Sequence, residues 1–128
     1  MIEMVTDPFP EAGELAAFWR RAWNGEPPAN YERVLARSLA HVTAQGGARL
    51  VGFVNVAWDG GVHAFVLDTA VDPDYRRQGI ATRLVEQAAL LARQRGAEWL
   101  HVDFEPHLEA FYRGCGFRHT AAGLLRLV

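Results

Sequence analysis

The chain has 128 residues, half of them apolar and 22% charged, which predicts one folded domain, residues 1–128, of ordinary soluble composition. Thirteen basic residues against fifteen acidic ones leave a formal net charge of −2, so no global charge draws the chain to nucleic acid or to a membrane surface. No apolar run reaches the ~18 residues that span a bilayer, the start lacks the basic-then-apolar pattern of a signal peptide, and the one cysteine, Cys115, excludes an internal disulfide, so a cytoplasmic location is expected.

Residues Ile2–Val5 read as a short first strand, cut off by Asp7-Pro8-Phe9-Pro10. Glu11–Trp23 carries Leu15, Phe18, Trp19 and Ala22 at helical spacing. The breaker Asn24-Gly25-Glu26-Pro27-Pro28 follows, and Asn30 is placed to cap a second helix with Val34, Leu35 and Leu39 on its apolar face. The pattern then switches to strands. His41–Ala44 and Ala48–Trp58 flank Gln45-Gly46-Gly47, and Asp59-Gly60-Gly61 leads into Val62–Val71, so the three segments predict an antiparallel meander.

Asp72-Pro73-Asp74 ends the meander. A long helix is predicted from about Gly79 to Arg95, with Ile80, Leu84, Ala88 and Leu91 as its inner stripe and Gly96 as its stop. Trp99–Phe104 reads as another strand. Glu105-Pro106 opens a last helix, with Leu108, Phe111, Tyr112 and Cys115 near one side of it. Phe117–Thr120 and Leu124–Val128, around Gly123, look like a closing hairpin. The order is β-α-α-β-β-β-α-β-α-β-β, an α/β (α+β) fold with a mixed, mostly antiparallel sheet and helices on both faces.

Two absences narrow the chemistry. All thirteen basic residues are arginine, which excludes a Schiff-base lysine and a Walker A phosphate loop. The only serine is Ser38, inside the second helical segment, which argues against a serine hydrolase. What remains is the junction Val71-Asp72-Pro73-Asp74-Tyr75-Arg76-Arg77-Gln78-Gly79-Ile80-Ala81-Thr82. A strand ends at a proline turn, and a long helix opens on small residues. Unpaired N–H groups at a helix start accept a phosphate, Arg76 and Arg77 add charge there, and Gly79 and Ala81 allow close backbone approach. The arrangement fits a pyrophosphate cradle; alone, it fits an ordinary helix start equally well.

Downstream lies Phe111-Tyr112-Arg113-Gly114-Cys115-Gly116-Phe117. With it, the chain resembles the GNAT superfamily of N-acetyltransferases. The run from Val71 to Ala81 is similar to that family's acetyl-CoA motif, Arg/Gln-x-x-Gly-x-Gly/Ala, and Phe111-Tyr112 with Gly116-Phe117 resembles its second motif, Phe-Tyr-x-x-x-Gly-Phe. The resemblance covers the element order from Ile2 to Val128.

The resemblance implies acetyl-CoA as co-substrate, an acyl-CoA N-acyltransferase fold and transfer of the acetyl group to an amine. Backbone near Ala70 and Val71 would bond the pantetheine arm beside a bulge that opens a V-shaped slot. Amides of Arg76, Arg77, Gln78, Gly79, Ile80, Ala81 and Thr82 would wrap the pyrophosphate, and Tyr112 would protonate the departing thiolate. The family's usual asparagine ahead of the tyrosine is Glu105 here, which contacts the acceptor or caps the helix. The family also allows a homodimer through sheet edges or the C-terminal hairpin.

The chemistry runs parallel to the resemblance. Amine attack on a thioester needs a neutral amine, an oxyanion donor and a proton for sulfur, but no metal. Asp68, on an otherwise apolar strand, is a candidate base, directly or through water, or else a paired structural acid; Asp103 and Glu105 are alternatives. His63, His101 and His107 lack metal-ligand spacing. Arg20, Trp23 and Asn24 through Asn30 are where acceptor specificity is expected, and acidic residues near the slot favour a cationic acceptor. A small-molecule or peptide amine is the expected partner, with no nucleic acid or membrane. The competing reading is a non-catalytic acyl-CoA-binding sensor or interaction module on the same fold.

Overall fold

In the computed structural model, which describes residues 1–128, five strands form one sheet in the order β1-β2-β3-β4-β5. They are β1 (Ile2–Thr6), β2 (Ala40–Gly46), β3 (Arg49–Trp58), β4 (His63–Val71) and β5 (Trp99–Val102). The first four pair antiparallel, and β5 joins β4 in parallel. The meander closes through tight turns because glycine supplies left-handed backbone in each: Gly47 at φ +63° and Gly60 at φ +84°.

Helices cover both faces. On one face lies α3 (Ile80–Gln94), whose buried residues Ile80, Leu84, Ala88 and Leu91 sit in one cluster with Val42, Val54, Val56 and Val66. These strand residues alternate with others facing the opposite side, as a pleated sheet requires. Gly52 permits the close approach of α3: a Cβ there would stand 3.0 Å from both Ala44 Cβ and Leu84 Cδ1. On the opposite face, α1 (Ala12–Trp23) and α2 (Tyr31–Arg37) pack Leu15, Phe18, Trp19, Tyr31 and Leu35 against Leu50 and Phe53. A final short helix, α4 (Glu109–Gly114), follows a 3-10 turn at Pro106–Leu108.

Three expectations are corrected. Asn30 stands at the start of α2 but in left-handed backbone, and its side chain makes no capping bond; its carbonyl accepts from the Arg33 amide instead, at 2.9 Å. Glu105 likewise makes no capping bond. The closing hairpin is absent: residues 117–128 contain no strand. Without strand neighbours, the local apolar pattern Leu124–Val128 leaves those side chains in solvent.

Tertiary ties hold the entry and exit of the meander. Asp72 is buried at the end of β4, 2.8 Å from Arg21 Nε on α1 and 3.3 Å from Arg49 Nη2. Burial pushes its carboxyl up, but the Asp74 amide, Arg21 and Arg49 outweigh that and leave it below the usual range. Arg95, at the end of α3, bonds the Leu39 carbonyl and Asp7, at 2.8 and 2.7 Å. His41 is buried between them and Phe9, whose amide donates to His41 Nε2 at 3.0 Å. No helix is long and apolar enough to cross a membrane.

Candidate functional site

The sheet opens where β4 outruns β5. Their parallel register runs from His63↔Trp99 to Val66↔Val102 and stops, while β4 continues to Val71. In the same stretch β4 bulges away from β3: Phe53 faces Ala70 and Asn55 faces Leu67, so Asp68 and Thr69 lie together opposite Val54. The bulge is locked by Asp68, whose φ is +58°, a conformation that aspartate tolerates better than most side chains. A slot therefore forms between the ends of β4 and β5, with the bulge on one wall.

At the top of the slot the chain leaves β4 through a 3-10 turn at Pro73–Tyr75, capped by Asp72, which accepts from the Asp74 amide at 2.9 Å. Arg77 (φ +64°) and Gly79 (φ +76°) then turn the backbone into α3. No backbone amide from Arg76 through Thr82 donates a hydrogen bond within the chain; the first to do so is Arg83, to Gly79 O at 3.1 Å. The helix start has no side-chain cap and no acid in its first turn. A run of unpaired donors, the positive end of a fifteen-residue helix and two exposed arginines thus share one edge. A Cβ on Gly79 would meet nothing within 4 Å, so its glycine serves the left-handed turn and leaves open space before the amides.

Tyr112, on α4, is buried against Phe104 (ring centroids 5.0 Å apart, stacked), Phe111 and Phe117. Burial raises its phenol pKa, and Thr69 in the bulge is the polar side chain that opposes the shift. The buried Thr69 hydroxyl makes no full hydrogen bond of its own. The structure therefore brings the second motif against the bulge of β4, with the phenol protonated at neutral pH. Cys115 is half-buried, and burial raises its thiol as well.

Asp68 is half-buried and accepts a 2.6 Å hydrogen bond from Tyr31. Beside this pair, Asn55 is fully buried; Ser38 donates to its Oδ1 at 2.5 Å, and its Nδ2 has no partner. Glu105 and Asp103 are exposed near the end of β5, without ion pairs. Tyr31 and Asn55 had no motif to mark them; the one signal was that Asn55 interrupts an apolar strand. In the loop expected to set specificity, Arg20 and Glu26 pair through two hydrogen bonds of 2.5 and 3.0 Å. That loop borders a cleft lined in part by Leu15, Pro27, Pro28 and Tyr31. His63 and His101 meet at 2.8 Å across β4 and β5, and no three metal-ligating side chains converge.

A splayed mixed sheet with a run of unpaired amides at its opening is an arrangement suited to an anionic ligand. Residues 1–117 match the family model of the acetyltransferase (GNAT) family, and the chain belongs to that family of acyltransferases. The structure is similar to a GNAT family acetyltransferase from Streptococcus pneumoniae, with 25% identity, TM-score 0.85 and coverage of 100% of this chain and 98% of that one. It has the fold of an aminoglycoside N-acetyltransferase, AAC(6')-Iy, solved in complex with CoA: 18% identity, TM-score 0.79, 98% and 93% covered. The uncharacterized N-acetyltransferase ycf52 of Porphyra purpurea is 32% identical over 69 residues, which are 54% of this chain. That match spans only 40% of the relative's length.

Proposed function

We propose that residues 1–128 form one acetyl-CoA-dependent N-acetyltransferase domain that moves an acetyl group directly to an amine. The observation that carries this reading is the run of unpaired amides from Arg76 to Thr82 at the head of the slot. Such a run fits the pyrophosphate of CoA: donors converge where the helix is positive, and no acidic side chain competes in the first turn. Arg76 and Arg77 supplement the charge, and small Gly79 and Ala81 leave the backbone approachable. Gln78, Ile80 and Thr82 contribute their amides, while the Ala70–Val71 backbone at the slot wall holds the pantetheine arm.

Acetyl-CoA, when bound, supplies the activated thioester. Tyr112 holds a proton for the sulfur; its raised pKa keeps it protonated, and a thiolate of ordinary pKa ~8.5 is basic enough only for a donor brought into contact. Asp68 accepts the proton of the amine, directly or through water, and Tyr31 orients its carboxylate. Glu105, exposed and unpaired at the mouth, is the second carboxylate available to a cationic acceptor. AAC(6')-Iy acts on aminoglycosides, which are amines; a small-molecule or peptide amine is the acceptor class proposed here.

Isothermal titration with acetyl-CoA and CoA tests the reading on wild type, Gly79→Ala and Gly79→Glu. Alanine reports the strain of a side chain at positive φ; glutamate adds a negative charge facing the phosphates. Binding to wild type, weakened in Gly79→Ala and lost in Gly79→Glu, is the expected result, followed by an amine screen with Tyr112→Phe as control. No binding by folded wild type would overturn the proposal. Binding without turnover on any amine would favour the sensor reading.

A further inference from the structure

A buried polar chain runs behind Asp68. From Leu50 to Val56, β3 has no polar side chain except Asn55, which is fully buried. A buried amide is costly unless both of its ends are bonded, and the two ends of Asn55 differ. Its Oδ1 accepts from Ser38, the only serine of the chain, at 2.5 Å. Its Nδ2 has no hydrogen-bond partner.

The surroundings fix which way the amide points. Ser38 Oγ also lies 2.9 Å from the Val34 carbonyl, and a hydroxyl can both donate and accept, so Ser38 could meet either end of Asn55. The far end decides. On β2 the register partner of Asn55 is His41, but His41 Nε2 accepts from the Phe9 amide and Nδ1 faces Asp7. On β4 the register partner is Leu67, the residue before Asp68. From α2, the Tyr31 hydroxyl gives its proton to Asp68 Oδ2 at 2.6 Å, which leaves only lone pairs on the phenol oxygen. An amide nitrogen facing that oxygen is attracted, and an amide oxygen is repelled. Asn55 is also the one side chain that lowers the Tyr31 pKa, against burial and Asp68, as a donor aimed at the phenol oxygen must.

Donation therefore runs in one sense through the cluster: Ser38 to Asn55, Asn55 toward Tyr31, Tyr31 to Asp68. Bonds aligned in one sense polarise one another. The Asn55 amide keeps the phenol proton from turning back into the core, and Ser38 keeps the amide from turning over. Tyr31 thereby occupies Oδ2 of Asp68 and leaves Oδ1 to another donor.

We propose that Asn55 and Ser38 are positioning residues: acting through Tyr31, they hold Asp68 with one carboxylate oxygen bonded and the other free for the proton of the amine. The inference rests on the reading of Asp68 as the acceptor of that proton, and adds two residues that act only through Tyr31.

Proton NMR, beside steady-state rates with acetyl-CoA and butylamine, tests this on wild type, Asn55→Leu, Ser38→Ala, Ser38→Thr and Asp68→Asn. Leucine keeps the size of asparagine without its amide, and threonine restores the hydroxyl that alanine removes. Wild type should show a slowly exchanging, downfield phenol proton, assigned by its absence in Tyr31→Phe. The signal should move upfield or broaden in Asn55→Leu and Ser38→Ala, and return in Ser38→Thr. In Asn55→Leu kcat should fall about tenfold, against ~10²-fold for a lost general base, with a smaller fall in Ser38→Ala and the KM for acetyl-CoA unchanged in both. Where Asn55→Leu does not fold, the two Ser38 variants decide alone. A wild type without a held phenol proton overturns the inference. So does a signal that stays put in the folded variants, and so does one that moves with kcat unchanged, which makes the chain purely structural. Full turnover in Asp68→Asn instead overturns the reading of Asp68 as the base, and the inference falls with it even if the signal responds as expected.

Discussion

The hydroxyl of Tyr31, on α2, donates a 2.6 Å hydrogen bond to Oδ2 of Asp68, in the left-handed bulge of β4. The bond ties the helix that lines the cleft to the residue that splays the sheet. Burial first, then the Asp68 carboxylate, raise the Tyr31 pKa strongly, so the phenol keeps its proton and stays a donor.

Asp68→Asn separates charge from structure. Asparagine tolerates left-handed backbone and still accepts from Tyr31. Urea unfolding should therefore move by only about 1 kcal/mol, and CoA affinity should not change. Acetyl transfer should fall by about 10²-fold, the scale of a lost general base. Steady-state rates beside calorimetry check this; undiminished turnover would assign Asp68 a purely structural role.

Tyr112→Phe removes the phenol oxygen and keeps the aromatic stack on Phe104. The hydroxyl is already desolvated opposite an unsatisfied Thr69, so its loss should cost stability less than about 1 kcal/mol. If Tyr112 supplies the proton for sulfur, kcat should drop about 10²-fold with CoA affinity intact. Equal losses of affinity and rate would point to packing instead.

Arg21→Ala leaves buried Asp72 with Arg49, which is partly exposed, and with the Asp74 amide. The expected loss is about 2 kcal/mol, below the ~3–5 kcal/mol of a fully orphaned buried ion pair. Asp72 also anchors the turn that leads into the cradle, so CoA affinity should weaken in this variant while Arg49→Ala has the smaller effect. Chemical denaturation and calorimetry on both variants compare the two arginines.

His41 predicts an acid-side loss of stability. Burial lowers its pKa, Asp7 partly restores it, and Arg95 lowers it again. The unfolded chain, with histidine near 6.5, thus takes up a proton that the folded chain resists. Stability is complete above about pH 7 and declines as pH falls through the 6.5 region. Urea midpoints between pH 8 and pH 5 should show this decline, flattened in His41→Gln.

Local pattern made much of the molecule legible. The stripe Ile80, Leu84, Ala88 and Leu91 needed only helical periodicity, and the meander needed only apolar runs between glycine turns. The run of unpaired amides from Arg76 to Thr82 was legible because these are backbone groups at a helix start, positioned by nearby residues. Asn30 and Glu105 show the limit: each occupies a capping position, yet neither side chain makes a capping bond.

What chain order and residue type decided, then, was the element sequence and the turn after β4 that leaves the first amides of α3 unpaired. Their causes are local: side-chain period, turn chemistry and orphan amides. The Tyr31–Asp68 bond, the Arg21–Asp72 anchor and the placement of Tyr112 against Thr69 each join residues far apart in the chain. They exist because the sheet brings α2 and α4 to the bulge of β4 and α1 to the turn that follows it. The fate of Leu124–Val128 belongs with them, since an apolar strand pattern becomes a strand only when a neighbour supplies the other half of its hydrogen bonds.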